Sequence, residues 1–131
     1  MKFKLVESLY NTIAYHGSQQ SDLTLSGDYP LYLTNDKSLA IEFANGYAFN
    51  YELLDGDTPT LYTFYIHIDN PFYIQTDDNY DKYMDISNYG FIIPDLEGAG
   101  YDSIIYDDGE LVYYMLFHPD KQATLKEKVI L

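Results

Sequence analysis

Three short stretches hold side chains that could do chemistry. The first, "YHGS" at Tyr15–Ser18, ends a β-branched run on His16, Gly17 and Ser18. An imidazole followed at once by bare backbone lets a ligand approach the main chain closely, or else it simply makes a turn. The second, "LYLTNDKSLAIEFA" at 31–44, runs a strand bearing Tyr32 into a helix bearing Phe43. Each ring is either a stacking face for a flat ligand or an ordinary core aromatic. The third, "YDDGEL" at 106–111, gathers Asp107, Asp108 and Glu110 around a glycine. Those acids either stabilise positive charge in a reaction or only shape a tight turn.

The elements that must position these groups are legible in outline. The chain has 131 residues, 47% of them apolar, which is enough for one domain spanning 1–131 with a buried core. Tyr, Phe, Ile, Val and Thr come in short bursts separated by Gly, Pro, Asn and Asp, so strands dominate. In "LYTFYIHID", Tyr62, Phe64, Ile66 and Ile68 alternate with Thr63, Tyr65, His67 and Asp69, the pattern of a half-buried strand. "DSIIYDDGELVYYMLFHPD" reads as a hairpin that turns at Asp107–Glu110. Its second strand is apolar on both faces and therefore central. Leu39, Phe43 and Tyr47 recur beside Ala40, Ala44 and Ala48, predicting a helix from about Asp36 to Phe49 with Thr34, Asn35 and Asp36 as cap candidates. A weaker helix is expected at 77–86, and a turn at 94–98 ended by Gly98 and Gly100. The fold class is α+β.

Composition removes several function classes. Seven Lys plus Arg against 21 Asp plus Glu give a net charge of −14, no footprint for gripping phosphate backbones, so direct nucleic-acid binding is not expected. The charge serves solubility or draws in a basic partner, including a protein whose usual ligand is nucleic acid. The absence of cysteine excludes disulfides and thiolate metal sites. With no leader-like segment and no long apolar run, a soluble, cytoplasmic chain without membrane contact is expected. Asp77, Asn79 and Asp81 in "DDNYDKYMD" suggest a calcium loop, but the turn glycine is missing and Asn88 stands where a bidentate Glu belongs. His16, His67 and His118 lack the short spacing of a metal site, and no metal is expected.

The order of the motifs adds more than any one of them. "YHGS", then "LYLTNDKSLAIEFA", then a hydrophobic strand, then "GYDSIIYDDGELVYYMLFHP" resembles the ADP-ribosyltransferase superfamily in its His-Tyr-acid branch. That branch holds the diphtheria-toxin-like toxins and poly-ADP-ribose polymerases, and the layout is nearest to small phage-borne versions, anti-CRISPR ones among them. The resemblance covers Tyr15 to Pro119. It implies two packed, mostly antiparallel small sheets with flanking helices around an NAD cleft, with NAD as co-substrate.

The resemblance also implies roles. His16 would hold a ribose hydroxyl and Gly17 the nicotinamide amide through its backbone. Tyr32 and Phe43 would sandwich the nicotinamide ring, Phe43 standing where the family usually has Tyr. Ser18 and Thr34 would add hydrogen bonds. Many relatives place a Glu where this chain has Tyr113; the small phage relatives carry the acid in the preceding turn, which implies Asp108, with Glu110 second. The implied activity is mono-ADP-ribosylation of a host or defence-system protein. Two competing readings are an NAD glycohydrolase and a non-enzymatic acidic inhibitor that mimics nucleic acid.

Overall fold

The computed structural model describes residues 11–46, 53–74, 83 and 89–131. Within them lie β1 (Asn11–Ser18), β2 (Leu31–Thr34), α1 (Lys37–Ala44), β3 (Thr60–His67), β4 (Pro71–Ile74), α2 (Tyr89–Gly98), β5 (Ser103–Asp107), β6 (Val112–Leu116), α3 (Pro119–Gln122) and β7 (Ala123–Ile130). The strands form a seven-stranded sheet in the order β4-β5-β6-β2-β1-β3-β7. Only β4 and β5 run parallel; the other neighbours are antiparallel.

The fold is α+β as expected, but hydrogen bonding runs through one sheet rather than two. Its middle is nearly open. β1 pairs with β3 along its whole length, from Asn11↔His67 to Ser18↔Thr60, and β2 pairs with β6 throughout, yet β1 and β2 meet only at Tyr15↔Thr34. The sheet is two ladders joined at one rung.

Each ladder face has its own core. Leu31, Leu33, Tyr62, Phe64, Ile66, Ile105, Tyr114 and Leu116 pack on one side, with Leu23 and Leu25 of the β1–β2 loop laid over them. Ile104, Tyr106, Met115 and Phe117 pack on the other with Ile93 and Leu96 of α2. β6 lies between β5 and β2 with Tyr114, Met115 and Leu116 buried, the central position its sequence predicts. The hairpin turn also falls where expected, with Asp107↔Val112 the last pair and Gly109 in the left-handed region at φ 96°. β3 departs from simple alternation: it is buried on both faces from Thr60 to Phe64, and only Tyr65 and His67 emerge. The cause is α1, which packs over the start of β3 as well as over β1 and β2.

Helix ends follow local chemistry. Asp36 caps α1 by accepting the Leu39 N–H at 3.1 Å. The helix stops at Ala44, sooner than periodicity predicts, because Asn45 and Gly46 (φ 80°) turn the chain, with the Gly46 N–H closing on the Phe43 carbonyl. Tyr47, Ala48 and Phe49 lie outside the described residues, as does the expected 77–86 helix except for Tyr83, and so do Asp77, Asn79, Asp81 and Asn88. The expected turn at 94–98 is the end of a longer helix that continues through Pro94. Burial of Ile93 and Leu96 against the Met115 core outweighs the one backbone bond a proline removes. Gly100, at φ 99°, ends it.

Candidate active site

The seam between β1 and β2 collects most of the chemistry-bearing groups. His16 pairs with Tyr62 on β3, and their rings lie 6.2 Å apart on the sheet face covered by the β1–β2 loop. From there the His16 Nδ1 reaches across the seam to the Tyr32 carbonyl at 2.6 Å. A carbonyl only accepts, so Nδ1 must carry the proton. Burial pushes the imidazole pKa below its usual value, and the bond to Tyr32 opposes this only in part. The ring is therefore neutral, and Nε2 is left with a lone pair. The fold has made an acceptor of defined direction, suited to a hydroxyl.

Gly17 faces the other way. A Cβ built there would stand 1.8 Å from the Ala40 carbonyl oxygen and 2.8 Å from the Ala44 nitrogen, so the α1 backbone rests directly on this glycine. Ala40 and Ala44 are the fully buried residues of that helix. The close approach that a glycine permits is taken by α1, which fixes the height of Phe43 over the sheet. Gln19, one residue past β1, donates its side-chain N–H to the Phe43 carbonyl and pins the end of that helix.

Tyr32 pairs with Met115 and packs with the core under α2, on the face that α1 also covers. Tyr32 and Phe43 thus share a side of the sheet. Thr34 is buried and forms a row with Tyr15 and Tyr113, each its neighbour across a strand pair. The hydroxyl oxygens of both candidate hydrogen-bonding residues shape turns: Thr34 accepts the Asp36 N–H at 3.2 Å and Ser18 the Gln20 N–H at 3.1 Å. Their O–H protons remain available for donation.

The acids sit at the exposed tip of the β5–β6 hairpin. Asp108 Oδ1 accepts the Leu111 N–H at 2.7 Å and the Glu110 N–H at 2.9 Å, and these two bonds lower its pKa. Asp107 Oδ1 accepts the Gly109 N–H at 2.9 Å. The tip is tied to the corner between β2 and α1, where the Asn35 N–H donates to the Val112 carbonyl at 3.1 Å and Asn35 Oδ1 accepts the Val112 N–H at 3.0 Å. The structure thus joins His16 to the Tyr32 backbone carbonyl with their side chains on opposite faces, sets Gly17 under the helix of Phe43, and holds Asp108 and Glu110 at the Thr34 end of β2.

Tyr62 was not singled out by motif. It is 3% exposed; its hydroxyl donates to the Gln20 carbonyl and accepts the Leu23 N–H, each at 3.2 Å. Its alternation with Phe64 and Ile66 marks it as core, and nothing local in the sequence signals that it forms the wall beside His16. Among the described residues no group of three His, Asp or Glu could hold a metal ion. Among them, too, no helix is long and apolar enough to cross a membrane.

No protein-family model matches the chain, and no curated protein matches its sequence. Among solved structures it is similar in fold to a chain of the M. tuberculosis MbcT–MbcA toxin–antitoxin complex. The TM-score is 0.60 over 91% of this chain and 83% of that one, at 12% identity. Likeness at that identity is one of fold.

Proposed function

We propose that the chain is an NAD-consuming enzyme of the ADP-ribosyltransferase type, with its site at the β1–β2 seam. The observation that carries this is the His16–Tyr32 bond, which bridges a sheet opening with a neutral imidazole and leaves Nε2 free to accept a ribose hydroxyl. Tyr32 and Phe43, on the side of the sheet opposite the His16 ring, would supply faces for the flat nicotinamide cation, with the sparsely paired seam between them. In the reaction the bond between ribose C1′ and the nicotinamide ring nitrogen breaks, and its electron pair leaves with the ring, which becomes neutral. The ribose carries the positive charge until a nucleophile closes on C1′ and sheds its proton. Asp108 stabilises that charge as a carboxylate already ionised and oriented by its turn, with Glu110 the second candidate.

The acceptor in this reading is a side chain of a host or defence-system protein, and the charge of −14 favours one with a basic surface. The fold's occurrence in a toxin–antitoxin complex supports a harmful activity directed at a cellular component. Incubation with NAD labelled in its adenosine half, in a cell lysate, tests this. Nicotinamide release with label on one protein band is expected. Release without labelled protein identifies a glycohydrolase. If no NAD is consumed the reading falls, and inhibition of a basic protein without NAD would install the acidic-mimic reading instead.

A further inference from the structure

We infer that Asn35 is a positioning residue that holds the acid-bearing turn at a fixed place relative to Tyr32; this rests on the NAD reading with its acid at Asp108 or Glu110. Register pairs β2 with β6 as far as Thr34↔Tyr113, so Asn35 and Val112 come next along the two strands. The Asn35 N–H donates to the Val112 carbonyl at 3.1 Å, as a backbone rung requires. The return bond is not a backbone one. The Val112 N–H donates at 3.0 Å to the side-chain Oδ1 of Asn35, so the amide stands in for a main-chain carbonyl. That substitution frees the Asn35 main chain to bend into α1, whose first turn Asp36 caps at Leu39.

What this rung holds is a projecting element. The β5–β6 pairing ends at Asp107↔Val112, and residues 107–110 beyond it are exposed. The bonds that Asp107 and Asp108 accept shape the turn from within but do not fix it against the rest of the molecule. The Asn35 rung does so, at the residue from which the turn springs. Val112 stands three residues along β6 from Met115, the partner of Tyr32, which is about 10 Å of strand. A slight tilt at the end of that lever displaces a carboxylate, and a misplacement of about 1 Å can cost on the order of a hundredfold in rate. Binding at the aromatic faces asks no such precision of the turn. Loss of the rung should therefore appear in kcat and not in KM, whereas a residue that only supports the fold would move neither in protein that stays folded. An asparagine makes the rung without a further carboxylate beside Asp36 and the acids of the turn.

The test uses the full chain, nicotinamide release from NAD for kcat and KM, and amide exchange at Val112 by NMR. Asn35→Ala removes the return bond. It should speed Val112 exchange at least about tenfold and lower kcat at least about tenfold with KM within about twofold. Asn35→Asp keeps an oxygen of the same reach and should hold kcat within about threefold of wild type. Asn70→Ala is the control. It removes a side-chain amide bond of 2.7 Å to the Gly100 carbonyl, at the end of β5 away from the turn, and should leave kcat unchanged. Because Asn35 acts through the acid, Asn35→Ala should cost less than about twofold when added to whichever of Asp108→Asn and Glu110→Gln is the inactive variant. Losses that multiply there, or equal losses in Asn35→Ala and Asn70→Ala, overturn the positioning role. An unchanged kcat or unchanged Val112 exchange in Asn35→Ala also overturns it and leaves the NAD reading standing. A wild type that releases no nicotinamide overturns both.

Discussion

His16 offers the sharpest test because its protonation state, its tautomer and its proposed role are linked. The bond to the Tyr32 carbonyl requires a proton on Nδ1, and burial disfavours a second one. Only the neutral ring can accept a ribose hydroxyl at Nε2. ADP-ribose affinity should therefore stay level as pH falls from about 8 to the ordinary histidine value of 6.5, and decline only below it. Folding stability follows the same sign. The unfolded chain takes up the proton near 6.5 and the folded chain at a lower pH. The stability tied to a neutral His16 is thus complete above 6.5 and is lost as pH falls through the folded value. His16→Ala removes one acceptor contact worth about 1 kcal/mol, roughly fivefold in affinity, and should abolish the acid limb of the binding profile. Nitrogen-resolved NMR of the imidazole with calorimetry across pH reads both quantities. An imidazole that titrates at or above 6.5, or affinity that already falls between about pH 8 and 7, refutes the argument.

Gly17→Ala should lower the melting temperature by about 5–15 °C, since α1 must lift off a Cβ placed against its backbone; an unchanged melting point would show that the helix shifts freely. Asp108→Asn keeps an oxygen for the turn bonds, so turnover should fall on the order of a hundredfold while melting and ADP-ribose affinity barely move. If Glu110→Gln is the inactive variant instead, Asp108 serves the turn alone. Tyr32→Ala and Phe43→Ala should each weaken nicotinamide riboside by roughly 1–2 kcal/mol and ADP-ribose much less, because only the former presents the ring that stacks; equal losses on both ligands in folded variants would refute stacking. His118 behaves oppositely to His16. Glu97 at 2.6 Å and then the Gly27 carbonyl at 2.7 Å raise its pKa, so its stabilisation is present below 6.5 and lost as pH rises through the folded value. With both partners of the ion pair 38% exposed, the effect should stay within about 1 kcal/mol, and His118→Gln should remove that slope from pH-dependent melting.

Much of the fold was legible because its signals are local. Asp107–Glu110 specify a turn, alternation specifies β3, and Asp36 with the Leu39–Phe43 spacing specifies where α1 begins. What depends on distant residues was not. The end of α1 at Ala44 is the exception, a local stop at Asn45–Gly46 masked by apolar spacing that continues past it. The burial of both β3 faces depends on where α1 lands, which Gly17 sets from another strand. Of the proposed site, His16, Gly17, Tyr32 and Phe43 came from motif order. The sequence carried no trace of the His16–Tyr62 contact, since register across β1 and β3 places residues far apart in the chain side by side.

The seam itself explains why a histidine, and not a longer ladder, stands at this point. β2 is only four residues long: Pro30, which has no N–H to offer, precedes it, and Asn35 and Asp36 turn the chain into α1 directly after Thr34. Such a strand pairs fully with β6 but reaches β1 at one position. The Tyr32 carbonyl then faces an opening in which an unmet acceptor would cost roughly 1–3 kcal/mol. A regular backbone rung would satisfy it by closing the two ladders together. The His16 imidazole satisfies it as a spacer, so the carbonyl is bonded while the strands stay apart. The same bond that stabilises the opening fixes the tautomer on which the proposed ribose contact depends. A residue recruited only to fill the gap could be any donor of similar reach. Glutamine also donates and accepts, but on a flexible stem rather than from the two nitrogens of one rigid ring, so His16→Gln should preserve the fold better than it preserves binding.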